Sequence, residues 1–191
     1  MKVFVLSQPK AGTYLCANIL QELGFKFNQL HFSEKKYERY PDPNGKYRAK
    51  LQYPHNLQTR MPLEESLELL KDNDVGVGHL GFTQKNEALL SDFKKIVLTR
   101  PKGEILESLQ RWTEFSRRPP ANIEHTLARC EAVTKWIERP GIFHMTFDDM
   151  RNVNVEKINQ LQDFLKIKPK LDSKEVCRKA KSKPSITKII L

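Results

Sequence analysis

The chain has 191 residues, with 33 Lys and Arg against 23 Asp and Glu, a formal net charge of +10 and a pI of about 9.5. That length suits one domain with a full core, and no apolar run approaches a membrane span. The charge balance favours polyanionic partners: nucleic acid, anionic lipid, acidic glycans or a nucleotide.

Residues 2–6, KVFVL, read as a short buried strand. One lysine and a five-residue apolar run make too small a core for a signal peptide, so a cytoplasmic location is expected. Cys16, Cys130 and Cys177 are odd in number, far apart and without metal spacing, as for thiols in a reducing compartment. Ser7-Gln8-Pro9-Lys10-Ala11-Gly12-Thr13 follows the strand. Residues 14–23 then carry Leu15, Ile19 and Leu23 on one helical face, and Gly24 is a natural stop. Strand, small-residue turn with a lysine, and helix form a phosphate cradle, because the amides at a helix start are unpaired and the helix dipole attracts an anion. Gly12 allows close approach, Thr13 adds a hydroxyl and Lys10 adds a point charge. The triphosphate loop G-x-x-x-x-G-K-S/T is not written here: the lysine precedes the glycine, and the loop has no upstream glycine. The shorter loop should grip one terminal phosphate-like group.

Residues 28–62 are the least regular stretch, with a turn cluster at 41–45. They mix bases (Lys35, Lys36, Arg39) with aromatics (Phe32, Tyr37, Tyr40) and include His31 and His55. The stretch reads either as a solvated or mobile insertion with a strand or two hidden in it, or as an acceptor-binding lip. A helix can begin at Pro62, with Leu63, Leu67 and Leu70 on one face. Residues 74–78 form a short glycine-bearing strand that ends at His79. A short helix is expected around 86–92. Residues 95–99, KIVLT, are a second convincing buried strand, ending at Arg100-Pro101. A helix with Ile105, Leu109 and Trp112 comes next, then a break at 117–120. A longer helix carries Ile123, Leu127, Cys130 and Ile137. A strand spans 142–146, and a helix carries Val155, Ile158, Leu161 and Leu165. From residue 174 the chain is dense in lysine.

Strands alternate with helices throughout. Right-handed crossovers then give a mostly parallel sheet in a three-layer α/β/α domain, with ligands at the carboxyl ends of the strands. The polar clusters 7–13, His79 and Arg100 each come directly after a strand, so they should gather on one sheet edge. His79 there is a candidate general base, because its ordinary pKa lies near working pH, or else a hydrogen-bonded structural histidine. Arg100, with Ser108 eight residues on in the next helix, is either a phosphate fork or a side chain that caps the edge through carboxylates.

Pro9-Lys10-Ala11-Gly12-Thr13 resembles the P-K-S-G-T loop of the sulfotransferases that use 3′-phosphoadenosine-5′-phosphosulfate (PAPS). Gly78-His79-Leu80 looks like their Thr-His-Leu segment, and Arg100 with Ser108 resembles their arginine–serine pair. The resemblance runs nearly the whole length in motif order. It implies a single P-loop-like sulfotransferase domain over 1–191, of the soluble cytosolic or bacterial branch, with 28–62 as the insertion. It implies PAPS as donor, 3′-phosphoadenosine-5′-phosphate (PAP) as product and no metal. Residues 9–14, including Tyr14, would bind the 5′-phosphosulfate, and Arg100 and Ser108 the 3′-phosphate. Lys10 would stabilise the leaving group, His79 would act as base, and Ser108 would engage Lys10 and restrain wasteful donor hydrolysis. Residues 143–150 resemble a late strand and its adjoining turn, with a structural role. Arg178-Lys179-Ala180 resembles an Arg-Lys-Gly that adds charge to the 3′-phosphate; the bland alternative is a frayed basic tail. Ala11 replaces the loop serine, Tyr14 a second threonine, and Leu15 an adenine-stacking tryptophan. The implied acceptor is a small molecule or glycan, and the basic, aromatic lip hints at an anionic or aromatic one. A P-loop kinase or hydrolase predicts the missing G-K-S/T triplet. A noncatalytic polyanion-binding module predicts salt-sensitive binding with no need for Lys10 or His79.

Overall fold

The computed structural model describes residues 1–34, 36–39, 57–59, 61–116 and 122–183. The turn cluster at 41–45, His55, the break at 117–120 and the segment after Lys183 lie outside them.

The strands are β1 (Lys2–Ser7), β2 (Leu30–Ser33), β3 (Lys36–Arg39), β4 (Leu57–Thr59), β5 (Val75–Gly78), β6 (Phe93–Thr99) and β7 (Ile142–Thr146). They form one sheet in the order β4-β3-β2-β5-β1-β6-β7. β2, β5, β1, β6 and β7 run parallel, and β3 and β4 extend the β2 edge antiparallel. The helices are α1 (Thr13–Glu22), α2 (Leu63–Leu67), α3 (Gln84–Leu89), α4 (Lys102–Ser116), α5 (Ile123–Thr134), α6 (Phe147–Arg151), α7 (Val155–Phe164) and α8 (Ser173–Ser182). A 3-10 turn at Lys135–Glu138 extends α5.

β1 lies between β5 and β6, and Val3 to Leu6 are fully buried. A parallel strand covered on both faces carries apolar residues at every position rather than at alternate ones, which is why KVFVL is continuous. Val3 and Val5 face a core with Ile19, Leu20, Ile158, Leu161 and Val176, from α1, α7 and α8. Phe4 and Leu6 face a second core with Leu63, Leu67, Val133 and Trp136. The two cores make the three layers, and the sheet matches the α/β expectation.

Three differences from the sequence reading have local causes. The stretch 28–62 contributes three strands, β2, β3 and β4. Within the lysine-dense segment, Ser173–Ser182 is a helix, α8, not a frayed tail. Asp172 caps it by accepting from the Lys174 and Glu175 amides at 2.9 and 3.4 Å, and Val176, Cys177 and Ala180 bury a narrow stripe. α8 packs on α1, where the Asn18 side chain donates to the Ala180 carbonyl at 3.3 Å. Finally, the helix expected at 86–92 starts earlier, at Gln84, because the Thr83 hydroxyl caps it by accepting from the Asn86 amide at 3.0 Å.

Candidate active site

The site is built at the carboxyl end of β1. After Ser7 the Gln8 amide continues sheet pairing by donating to the Leu98 carbonyl at 3.0 Å. The chain then turns tightly, with the Ala11 amide donating to the Gln8 carbonyl at 3.1 Å. Two residues of this turn lie in the left-handed region: Lys10 at φ 63° and Gly12 at φ 83°. Gly12 is required twice over, because a Cβ there would also lie 2.6 Å from Phe147 Cδ2. Lys10 is a β-carbon residue in a conformation that costs about 1 kcal/mol. Its carbonyl is held in place by Arg100, whose Nη1 donates to it at 3.0 Å.

The start of α1 fits an anion. Gly12 occupies the cap position and offers no side chain to bond the first amides. Thr13 adds its hydroxyl, 2.7 Å from the Ser7 hydroxyl. Loop, amides and Lys10 thus supply the donor set that a single phosphate-like group needs.

His79 comes directly after β5 and reaches across to β1. Its Nδ1 lies 2.7 Å from the Ser7 carbonyl and 3.1 Å from the Ser7 hydroxyl. A carbonyl only accepts, so Nδ1 carries the hydrogen, and in the neutral ring Nε2 carries the lone pair. Burial pushes the His79 pKa well below the usual histidine value, and electrostatic interaction with His31, Arg129 and Lys10 pushes the same way. The Ser7 carbonyl works against them and loses. His79 is therefore a neutral base at neutral pH. The His31 ring packs edge-on against it, with centroids 4.7 Å apart, and His31 Nδ1 lies 3.1 Å from the Tyr14 hydroxyl.

Arg100 stands at the end of β6. Its amide donates to Gln8 Oε1 at 2.8 Å, its Nε donates to Glu104 at 3.0 Å, and its guanidinium lies 4.1 Å from the Phe147 ring centroid. The carboxylate-capping alternative is thus realised in part: Arg100 braces the loop and carries Glu104. Glu104, Ser108 and Trp112 share one face of α4 by i, i+4 spacing, so half-buried Ser108 lies between Glu104 and Trp112. The Lys10 ammonium lies 4.2 Å from the centroid of the Trp112 ring.

Of the residues expected from sequence, Lys10, Gly12, Thr13, His79 and Arg100 are joined directly or through Ser7 and Phe147, and Ser108 lies on the adjoining helix face. Pro9 and Ala11 shape the loop, with Ala11 fully buried. Arg178 and Lys179 differ. Both are exposed on α8, where they pair with Glu175 at 2.7 and 3.5 Å. Two contributors carry weaker sequence signals. Gln8 is buried and ties the loop to Arg100 and, through Nε2 at 2.9 Å, to Thr134 of α5. In sequence it is one polar loop residue among several. Trp112 reads as a core position of α4. Among the described residues no group of three or more His, Cys, Asp or Glu side chains is placed to hold a metal, and no helix is long and apolar enough to cross a membrane.

No family model and no curated protein sequence matches the chain. Solved structures do. A mouse sulfotransferase, SULT7A1, complexed with PAP, aligns over 96% of this chain and 68% of its own, with TM-score 0.62 and 13% identity. A retinol dehydratase in complex with androsterone and inactive cofactor PAP aligns over 94% of this chain and 63% of its own, with TM-score 0.57 and 13% identity. The chain thus spans about two thirds of the length of these neighbours. Identity so low speaks for architecture rather than chemistry, and on that architecture, five parallel strands between helical layers with the lysine loop after the central strand, the chain has the sulfotransferase fold.

Proposed function

We propose that the chain transfers a sulfuryl group from PAPS to a hydroxyl or amine of an acceptor. One observation carries the reading: a neutral histidine with a fixed tautomer stands beside a lysine-bearing anion loop at the end of the central strand. PAPS supplies a sulfuryl group already activated on a phosphate oxygen. His79 Nε2 takes the proton of the acceptor as the acceptor's oxygen or nitrogen bonds to sulfur. The bond from sulfur to the phosphate oxygen breaks, and PAP departs. The Lys10 ammonium opposes the negative charge that grows on the departing oxygen, so it stabilises the transition state more than the ground state. The α1 amides with Gly12 and Thr13 hold the 5′ end. Arg100 and Ser108 are assigned to the 3′-phosphate, and Tyr14 is assigned with the rest of the loop to the 5′ end.

That both neighbours were solved with PAP supports the donor assignment. The acceptor is a small molecule or glycan; the bases and aromatics of 28–62 favour an anionic or aromatic one. Arg178 and Lys179 face a heavier demand, since Glu175 already holds both. The test is sulfate transfer from PAPS to a panel of phenolic, amine and glycan acceptors. Transfer by the wild type and its loss in His79→Asn is the expected result. Transfer undiminished in His79→Asn removes the base assignment.

A further inference from the structure

The Lys10 ammonium lies over the Trp112 ring, 4.2 Å from its centroid. This contact is set up by α4. Glu104 holds Arg100, Arg100 holds the Lys10 carbonyl, and Trp112 lies two turns beyond Glu104 on the same face. One helix therefore governs both ends of the loop lysine, its backbone through an arginine and its ammonium through an indole. Trp112 is only half-buried, and the other tryptophan, Trp136, is fully buried with its indole N–H donating to the Leu80 carbonyl at 3.1 Å. A core explanation suffices for Trp136. For Trp112 it does not account for the cation on its face.

We propose that Trp112 is the resting seat of the Lys10 ammonium, a positioning residue that the donor must outcompete. The inference rests on the donor reading above. When a nucleotide bearing a 5′-phosphate group occupies the loop, the ammonium leaves the indole for the anion. The seat keeps the cation aimed into the site in the absence of donor and lowers donor affinity by the strength of the contact. A cation over an indole is worth about 2- to 30-fold in an equilibrium constant, depending on how dry it is.

The test is a PAP titration monitored by tryptophan emission and by calorimetry on wild type, Trp112→Leu and Trp112→Phe. In the wild type PAP should change the emission, and Lys10→Met without PAP should already show the altered emission. Trp112→Leu should bind PAP about 2- to 30-fold tighter, and Trp112→Phe should fall between. Tighter binding is the opposite of what general damage to α4 produces. Should Trp112→Leu not fold, Trp112→Phe decides by the same sign. Equal or weaker PAP binding in the folded variants, with normal binding in the wild type, overturns the seat and leaves the donor reading standing. Absence of PAP binding in the wild type overturns the donor reading and the seat with it.

Discussion

His79 is neutral because burial and the electrostatic effects of His31, Arg129 and Lys10 oppose its protonation, and that fixes the expected pH dependence. The acid limb of kcat/KM should lie well below the ordinary histidine value of about 6.5, so activity should be flat through neutrality. A limb at or above that value would contradict a base in this environment. The same depressed pKa acts on stability. Below the ordinary value the unfolded chain takes up a proton that the folded chain refuses, so stability is present above it and falls as pH drops. His79→Asn should lower kcat by about 10²- to 10⁴-fold while PAP affinity is kept, read by steady-state kinetics beside calorimetry. Gly12→Ala should destabilise by about 2 kcal/mol or more, since it adds a left-handed penalty to a contact with Phe147. A thermal melt checks it, and an unchanged midpoint would mean that the turn tolerates a side chain. His79 and Gly12 were legible in sequence because each directly succeeds a strand or opens a helix. The His31 ring against His79 was not, since β2 brings it there from a stretch with weak periodicity.

At the scale of elements, the turn from β7 into α6 supports the loop from behind. Phe147 and Met150 pack where Gly12 approaches, and Arg100 lies over the Phe147 ring. Thr146 and Asp149 form a reciprocal cap: the Thr146 hydroxyl accepts from the Asp149 amide at 3.1 Å, and Asp149 accepts from the Thr146 amide at 2.8 Å. Burial raises the Asp149 pKa, but bonds from Thr146 and Asn154 and the charge of Lys157 outweigh it and leave it below the usual carboxylate range. Thr146→Ala should cost about 1 kcal/mol in chemical denaturation and loosen PAP binding less than Gly12→Ala does. A loss of binding larger than that of Gly12→Ala would give Thr146 a role beyond the cap. The strands β1 and β6 could be read in advance because buried parallel strands leave apolar runs, whereas β7, at the sheet edge, buries only alternate residues. α8 could not, because only Val176, Cys177 and Ala180 mark its packed face among lysines and serines. All three cysteines are buried, and burial pushes the Cys16 thiol up to about 12, in keeping with packing rather than redox roles.

On the scale of the molecule, the topology collects the chemistry. β1, β5 and β6 are neighbours, so the lysine loop, His79 and Arg100 at their carboxyl ends meet at one edge. Strand–helix alternation made that edge readable, because parallel strands point their ends the same way. The wiring within the edge was not readable, because Gln8, Glu104 and Trp112 act through contacts that only the folded chain creates. A formal net charge of +10 attracts polyanions, so on the proposed reading PAP binding should weaken with added salt. The central claim is that the loop belongs to a nucleotide phosphorylated at both ends rather than to a triphosphate. Calorimetric titration of the wild type with PAP and, separately, with ATP tests it most directly. PAP should bind clearly more tightly than ATP, and Arg100→Ala should weaken that binding by removing both a cation and the brace on the Lys10 carbonyl. Tight ATP binding with no heat from PAP would contradict the account.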